Sequence, residues 1–170
     1  MKRVILASFV ITIFGASVPL GRVPRSDNAQ EIKALVAQLS WNSTDVVCGR
    51  FTILQIFPKG DAANQLIKIG KPATEELLAA LGDESKAVAA HVILTALWEP
   101  RRVNHVTSES IYKKRLFGKK YVGTRYSFNE LTWVMGLKGG SVDKANLAEN
   151  AARWRAKVMG NQASAIRRRA

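Results

Sequence analysis

The segment that most constrains the fold is an almost entirely apolar stretch near the middle of the chain, residues 85–98. It runs to Trp98 and stops at Glu99-Pro100, where the proline disfavours helical geometry at the residue before it. Val88, Val92, Ile93, Leu94 and Leu97 are spread over most sides of the predicted helix. Because a helix that is apolar on most sides needs cover all round, the sequence predicts a central, buried helix.

Two further segments have the apolar spacing of amphipathic helices. Residues 28–40 carry Ile32, Leu35, Val36 and Leu39 at intervals of three and four, after an N-cap signal at Asp27. A last helix is predicted from Asp143 to Gly160, with a buried stripe formed by Leu147, Ala151, Trp154 and Val158. Both helices can cover the central one.

Residues 46–57 are apolar enough to be buried, but their β-branched side chains leave helix and strand both open. Asn42-Ser43-Thr44 is interpreted as the turn that leads into this segment, in preference to a glycosylation acceptor. The helical context that follows favours a helix here.

Residues 61–98 resemble the bacterial HEAT-like repeat of the phycobilisome-lyase type. The resemblance rests on Asp61-Ala62-Ala63 with Leu66, on Ile69-Gly70-Lys71-Pro72-Ala73, and on Leu77-Leu78-Ala79-Ala80-Leu81-Gly82-Asp83. It implies paired helices with leucines in their shared core, and a non-enzymatic scaffold role by analogy. One good unit and one partial unit are too few for a long array, so flanking segments must cap the core.

The fold class predicted from these elements is mainly α, a short HEAT-like helical core with capping helices. Residues 101–125 are read as a loop or a basic hairpin. Tyr126 and Phe128, then Leu131 and Trp133, alternate with polar positions and allow a strand pair packed on the helices. The predicted organisation is a signal peptide over 1–17, an extended linker over 18–26, a helical domain over 27–160 and a basic disordered tail over 161–170.

The net charge of +13 is concentrated in two segments. Residues 101–125 carry +7 and residues 151–170 carry +6, so the remainder sums to zero. These segments predict a basic binding surface made of Lys113, Lys114, Arg115, Lys119, Lys120, Arg125, Arg153, Arg155 and Lys157. The expected partner is anionic: an acidic protein, an envelope polymer or a lipid headgroup, with nucleic acid less favoured because export is expected. The alternative is a surface that only keeps the protein soluble.

No residue pattern indicates a catalytic centre, a metal site or a cofactor. His91 is interpreted as a hydrogen-bonded core or groove histidine, and His105 as part of the basic loop. Cys48 has apolar neighbours and is predicted to be a small buried hydrophobic residue. An alternative function is an enzyme whose site is assembled from scattered groups such as Glu75, His91 and Tyr126.

The first seventeen residues have the features of a signal peptide. Lys2 and Arg3 precede a thirteen-residue apolar run from Val4 to Ala16, which is too short to span a bilayer comfortably. No cysteine follows this run for lipid attachment. The expected location is therefore periplasmic or secreted, without a transmembrane span in the mature chain. The alternative interpretation of this segment is an uncleaved membrane anchor.

Export predicts that the mature protein begins near Val18 and is recovered outside the cytoplasm. Cell fractionation combined with mass measurement of the intact N-terminus tests this prediction. A soluble cytoplasmic product that still begins near Met1 would contradict it.

Overall fold

The computed structural model describes residues 25–48, 53–100, 105–115, 118–136 and 139–167. The helices are α1 (Arg25–Ala37), α2 (Asp61–Ile69), α3 (Thr74–Ala80), α4 (Ala87–Trp98) and α5 (Lys144–Arg167). The strands are β1 (Thr44–Cys48), β2 (Leu54–Pro58), β3 (His105–Arg115), β4 (Gly118–Phe128), β5 (Leu131–Gly136) and β6 (Gly139–Val142). The predicted signal peptide lies outside the described residues.

The strands form one antiparallel sheet in which neighbours in sequence are neighbours in space. The sheet curls into a half-barrel. Val46 faces Ile56 across β1 and β2, and Tyr126 faces Trp133 across β4 and β5. These four residues belong to one hydrophobic cluster with residues of α4, so they share one face of the sheet, which we call the concave face.

Helix α4 lies between this sheet and the other helices. Ala87, Val88 and Val92 belong to a buried cluster with sheet residues such as Ile56 and Phe128. Ala89, Ala90, Ile93 and Leu94 belong to a second buried cluster, formed with α1, α2, α3 and α5. The prediction of a central, buried helix is confirmed.

The predicted mainly α fold class is wrong, because the described chain is a mixed structure dominated by the sheet. Residues 46–57 contribute β1 and β2 instead of a helix. The β-branched residues Val46, Val47 and Ile56 fit a pleated surface, and pairing between the two strands satisfies their backbone groups. Residues 101–125 include β3 and most of β4, so their described part is a hairpin.

Several local predictions are confirmed by the structure. Helix α1 buries Ile32, Leu35 and Val36, and Leu39 is buried just after its end. Helix α5 buries Leu147, Ala151, Trp154 and Val158. Helix α2 ends before Gly70, whose φ of 78° favours glycine. Tyr126 to Trp133 form the expected strand pair within β4 and β5. The resemblance of residues 61–98 to HEAT-like repeats stays a hypothesis.

Two local predictions are wrong. Helix α5 continues past Gly160 to Arg167, because Gln162, Ala163 and Ala165 suit a helix and Gly160 lacks the positive φ of a helix stop. Cys48 is exposed at the end of β1. Its apolar neighbours belong to an edge strand, where alternate side chains point away from the core.

Leu78 tests the packing between α3 and its neighbours, since it is 6% exposed in the helical cluster. Leu78→Ala should lower the free energy of unfolding by about 2–5 kcal/mol, because it leaves a cavity. Met159→Ala is the control: Met159 is 68% exposed, and its truncation should change stability by less than about 0.5 kcal/mol. Denaturant titration measures both, and equal midpoints for Leu78→Ala and the parent would contradict the packing.

Candidate functional site

The far end of the hairpin formed by β3 and β4 projects beyond the rest of the sheet. Strand β2 pairs with β3 only at His105 and Val106, and β5 pairs with β4 only from Gly123 onwards. Residues 112–115 and 118–121 therefore pair only with each other among the described strands. We call these two stretches the basic ribbon; at about 3.3 Å per residue, each is roughly 13 Å long.

The basic ribbon places like charges opposite one another. Lys113 faces Lys120, and Lys114 faces Lys119. Facing side chains in an antiparallel pair lie about 5 Å apart at Cβ, and like charges there are destabilising. The ribbon carries five basic residues and no acidic one. This arrangement of charges does not stabilise the strand pair, whereas a bound anion would reduce the repulsion between the cations.

Tyr112 and Tyr121 support the basic ribbon. They face each other across the strands, with their ring centroids 5.9 Å apart in an edge-to-face contact. Both are exposed, at 54% and 40% respectively. Such a contact stabilises the hairpin and leaves aromatic surface available to a partner.

The other cations predicted in this region differ in their surroundings. Arg125 donates a 2.8 Å hydrogen bond to Glu109 on the facing strand, so its charge is partly neutralised. Arg115 pairs through its backbone with Gly118 at the tip of the ribbon. The side chains of Lys114 and Arg115 lie outside the described part of the chain, whereas Lys113, Lys119 and Lys120 are exposed.

The predicted cations of α5 lie elsewhere. Arg153 forms an ion pair with Glu130, Lys157 forms one with Glu99, and Arg155 is exposed. Glu130 follows the end of β4 at Phe128, whereas Lys119 and Lys120 lie at its beginning. About ten residues of strand, roughly 30 Å, separate the two groups. The structure therefore separates the basic ribbon from the cations of α5.

His91 is buried between the two hydrophobic clusters, as the sequence indicated. Its ring packs edge-on against Phe128 and Trp154, at centroid distances of 5.4 and 5.7 Å. Trp154 Nε1–H donates a 2.9 Å hydrogen bond to His91 Nδ1, so the neutral ring carries its proton on Nε2. Burial lowers the pKa of His91 to about 3. A histidine held neutral in this way positions the indole ring of Trp154.

The groups considered for an assembled catalytic site do not converge. Glu75 is exposed in the first turn of α3, His91 is in the core, and Tyr126 lines a pocket on the concave face of the sheet. His105 is exposed at the start of β3. Among the described residues, no cluster of three His, Cys, Asp or Glu side chains is placed to hold a metal ion.

The concave face carries a pocket of about 420 Å³ that was not predicted from the sequence. Trp41, Tyr126 and Trp133 line it together with Asn42, Asp45 and Lys59. These residues come from the turn before β1, from β1 itself, from the loop after β2, and from β4 and β5. The alternation of Tyr126 and Phe128, and then of Leu131 and Trp133, with polar positions was a detectable signal. The approach of Trp41 depends on the curl of the sheet.

Comparison with known proteins finds no matching family model, no matching curated protein and no matching solved structure. The site must therefore be interpreted from its own geometry. Within the described residues, the helices are too short or too polar for any of them to cross a membrane.

The environment of His91 predicts a dependence of stability on pH. Between about pH 6.5 and pH 3 the unfolded chain binds a proton that the folded protein excludes, so stability falls as the pH decreases, by up to about 1.4 kcal/mol per pH unit. His91→Asn keeps an acceptor near the position of Nδ1 and removes the titration. The free energy of unfolding should then fall less steeply between pH 6 and pH 4.

The control for this measurement is Met159→Ala, which truncates an exposed side chain and changes no titratable group. It should leave the pH dependence as it is in the parent. An unchanged slope in His91→Asn would contradict the assignment of a buried, neutral His91.

Proposed function

We propose that this protein is a non-enzymatic binding protein that holds an anionic partner through its basic ribbon. The observation that carries the proposal is the two pairs of facing lysines, Lys113 with Lys120 and Lys114 with Lys119, on a hairpin end beyond the sheet. Repulsion between these cations weakens the isolated hairpin, and an anion placed among them removes that cost. Since the facing lysines do not stabilise the fold, we interpret them as residues that bind a partner.

The shape of the basic ribbon also suits a binding role. It projects from the half-barrel, and the cations Lys113, Lys119 and Lys120 are exposed. None of these three forms an ion pair with a described acidic residue. Their charge is therefore available to a partner, in contrast to that of Arg125, Arg153 and Lys157.

The second basic segment has a different role in this proposal. Because Arg153 and Lys157 are paired with Glu130 and Glu99, they hold α5 against the sheet turn and α4. Arg155 remains exposed and adds to the general positive field. The binding surface thus consists of the basic ribbon, with the predicted export favouring a polymer of the cell envelope as the partner.

Replacing Lys113, Lys119 and Lys120 by Gln should weaken binding to an anionic polymer about tenfold, because exposed ion pairs contribute roughly 0.2–1 kcal/mol each. Binding by the parent should itself weaken as salt rises, since screening acts over about 8 Å at physiological ionic strength. Retention on a sulfated-polysaccharide resin and on isolated envelope material, at several salt concentrations, measures both effects.

A matched control separates position from net charge. Lys33, Lys68 and Lys144 are exposed residues outside the ribbon, and their replacement by Gln removes the same three charges. This control should bind nearly as well as the parent. Equal binding by the ribbon variant and the control variant would show that the ribbon only contributes to solubility.

A further inference from the structure

The aromatic pocket on the concave face has the composition of a site for a hydroxylated ring. Its volume of about 420 Å³ is within the range of small-molecule sites. Tyr126 stacks on Trp133 with ring centroids 5.6 Å apart and an angle of 22° between the planes. Trp41 adds a third aromatic side chain to the lining. Aromatic faces carry partial negative charge, so they attract the weakly positive C–H groups on the face of a sugar ring.

The polar part of the pocket suits the hydroxyl groups of a sugar. Asn42 and Asp45 line it, and Asp45 Oδ2 lies 3.5 Å from Lys59 Nζ. An ionised carboxylate only accepts hydrogen bonds, which suits the hydroxyl donors of a sugar. Lys59 pairs with this carboxylate and lines the same pocket, so the polar part of the lining is close to neutral and offers hydroxyl groups both donors and acceptors.

The pocket is held open by packing. Ser40 and Ser43 cap the turn that carries Trp41, through reciprocal hydrogen bonds. The ring of Trp41 lies against Gly140, so closely that a Cβ there would be 2.6 Å from the ring. A ligand would consequently meet a preformed site and would lose little affinity to rearrangement of the protein.

A row of side chains links the pocket to the basic ribbon. Tyr126 and Thr124 are two positions apart on β4, so their side chains point to the same face of the sheet. The strand register shifts between Ile111 and Tyr112, which leaves Val122 as an extra residue in β4. This bulge turns Tyr121 to the face of Thr124, and the two hydroxyl groups lie 2.8 Å apart.

We infer that the pocket binds one sugar ring of an acidic polysaccharide, whose chain continues along Tyr121 and Tyr112 to Lys119, an exposed lysine on the same face of the basic ribbon. The pocket thereby supplies recognition of the ring, and the ribbon supplies attraction for the acidic groups. The second part of this inference rests on the proposed function, whereas the first part stands on the pocket alone.

The experiment measures binding of the full chain to purified linear oligosaccharides, both uronic-acid-containing and neutral, and to a twelve-nucleotide oligothymidylate as the rival class. We expect binding to at least one acidic oligosaccharide. Tyr126→Ala should weaken that binding at least tenfold, and Asp45→Asn, at an exposed site, should weaken it several-fold. Gly140→Ala should also weaken it because the added methyl group displaces Trp41.

Gly160→Ala is the matched control, since an added Cβ at Gly160 meets nothing within 4 Å. Thermal melts show that each variant is folded, and Asp45→Asn keeps the test decisive if Tyr126→Ala unfolds. Binding that is unchanged in the folded pocket variants would overturn the inference, as would binding of the oligothymidylate without any oligosaccharide. Loss in the pocket variants with no loss in the ribbon variant would support the pocket and reject the proposed function.

Discussion

The burial of α4 on two opposite sides is the constraint on which the rest of the structure depends. One side closes the concave face of the sheet, and the other forms the floor of the helical cluster. His91 lies where the two clusters meet and hydrogen-bonds Trp154 of α5. Because both clusters use the same helix, neither has a complete core without the other. The curled sheet and the outer helices are therefore parts of one cooperative unit.

The sequence predicted the helices well because their information is local. The spacing of Ile32, Leu35, Val36 and Leu39, or of Leu147, Ala151, Trp154 and Val158, fixes a face within a few turns of chain. The strands depend on partners that are distant in sequence. The pairing of Gln55 with His105 could not be inferred from either segment alone. Residues 46–57 were misassigned because their β-branched content gains its stabilisation only after strand pairing.

The candidate site was predictable in its charge and not in its geometry. Counting Lys and Arg identified both basic segments. It could not show that Arg153 and Lys157 have acidic partners while Lys113 and Lys120 face each other. The pocket was still harder to predict from the sequence, because the contact of Trp41 with Gly140 joins opposite ends of the sheet. A single extra residue, Val122, decides which face Tyr121 occupies, and propensity scales contain no such information.

The basic ribbon also bears on how copies of this protein behave towards one another. Beyond Val106 on β3 and before Gly123 on β4, the strand edges lack a neighbouring strand among the described residues. Exposed edges of this kind are templates for strand addition between molecules, and lysines on them oppose it by electrostatic repulsion. An anionic polymer that neutralised those lysines would remove the repulsion that opposes strand addition. The same polymer would also bring several copies of the protein close together along its length. Binding would then favour edge-to-edge assembly of neighbouring copies, so that occupancy and self-association would be coupled through the same few charges.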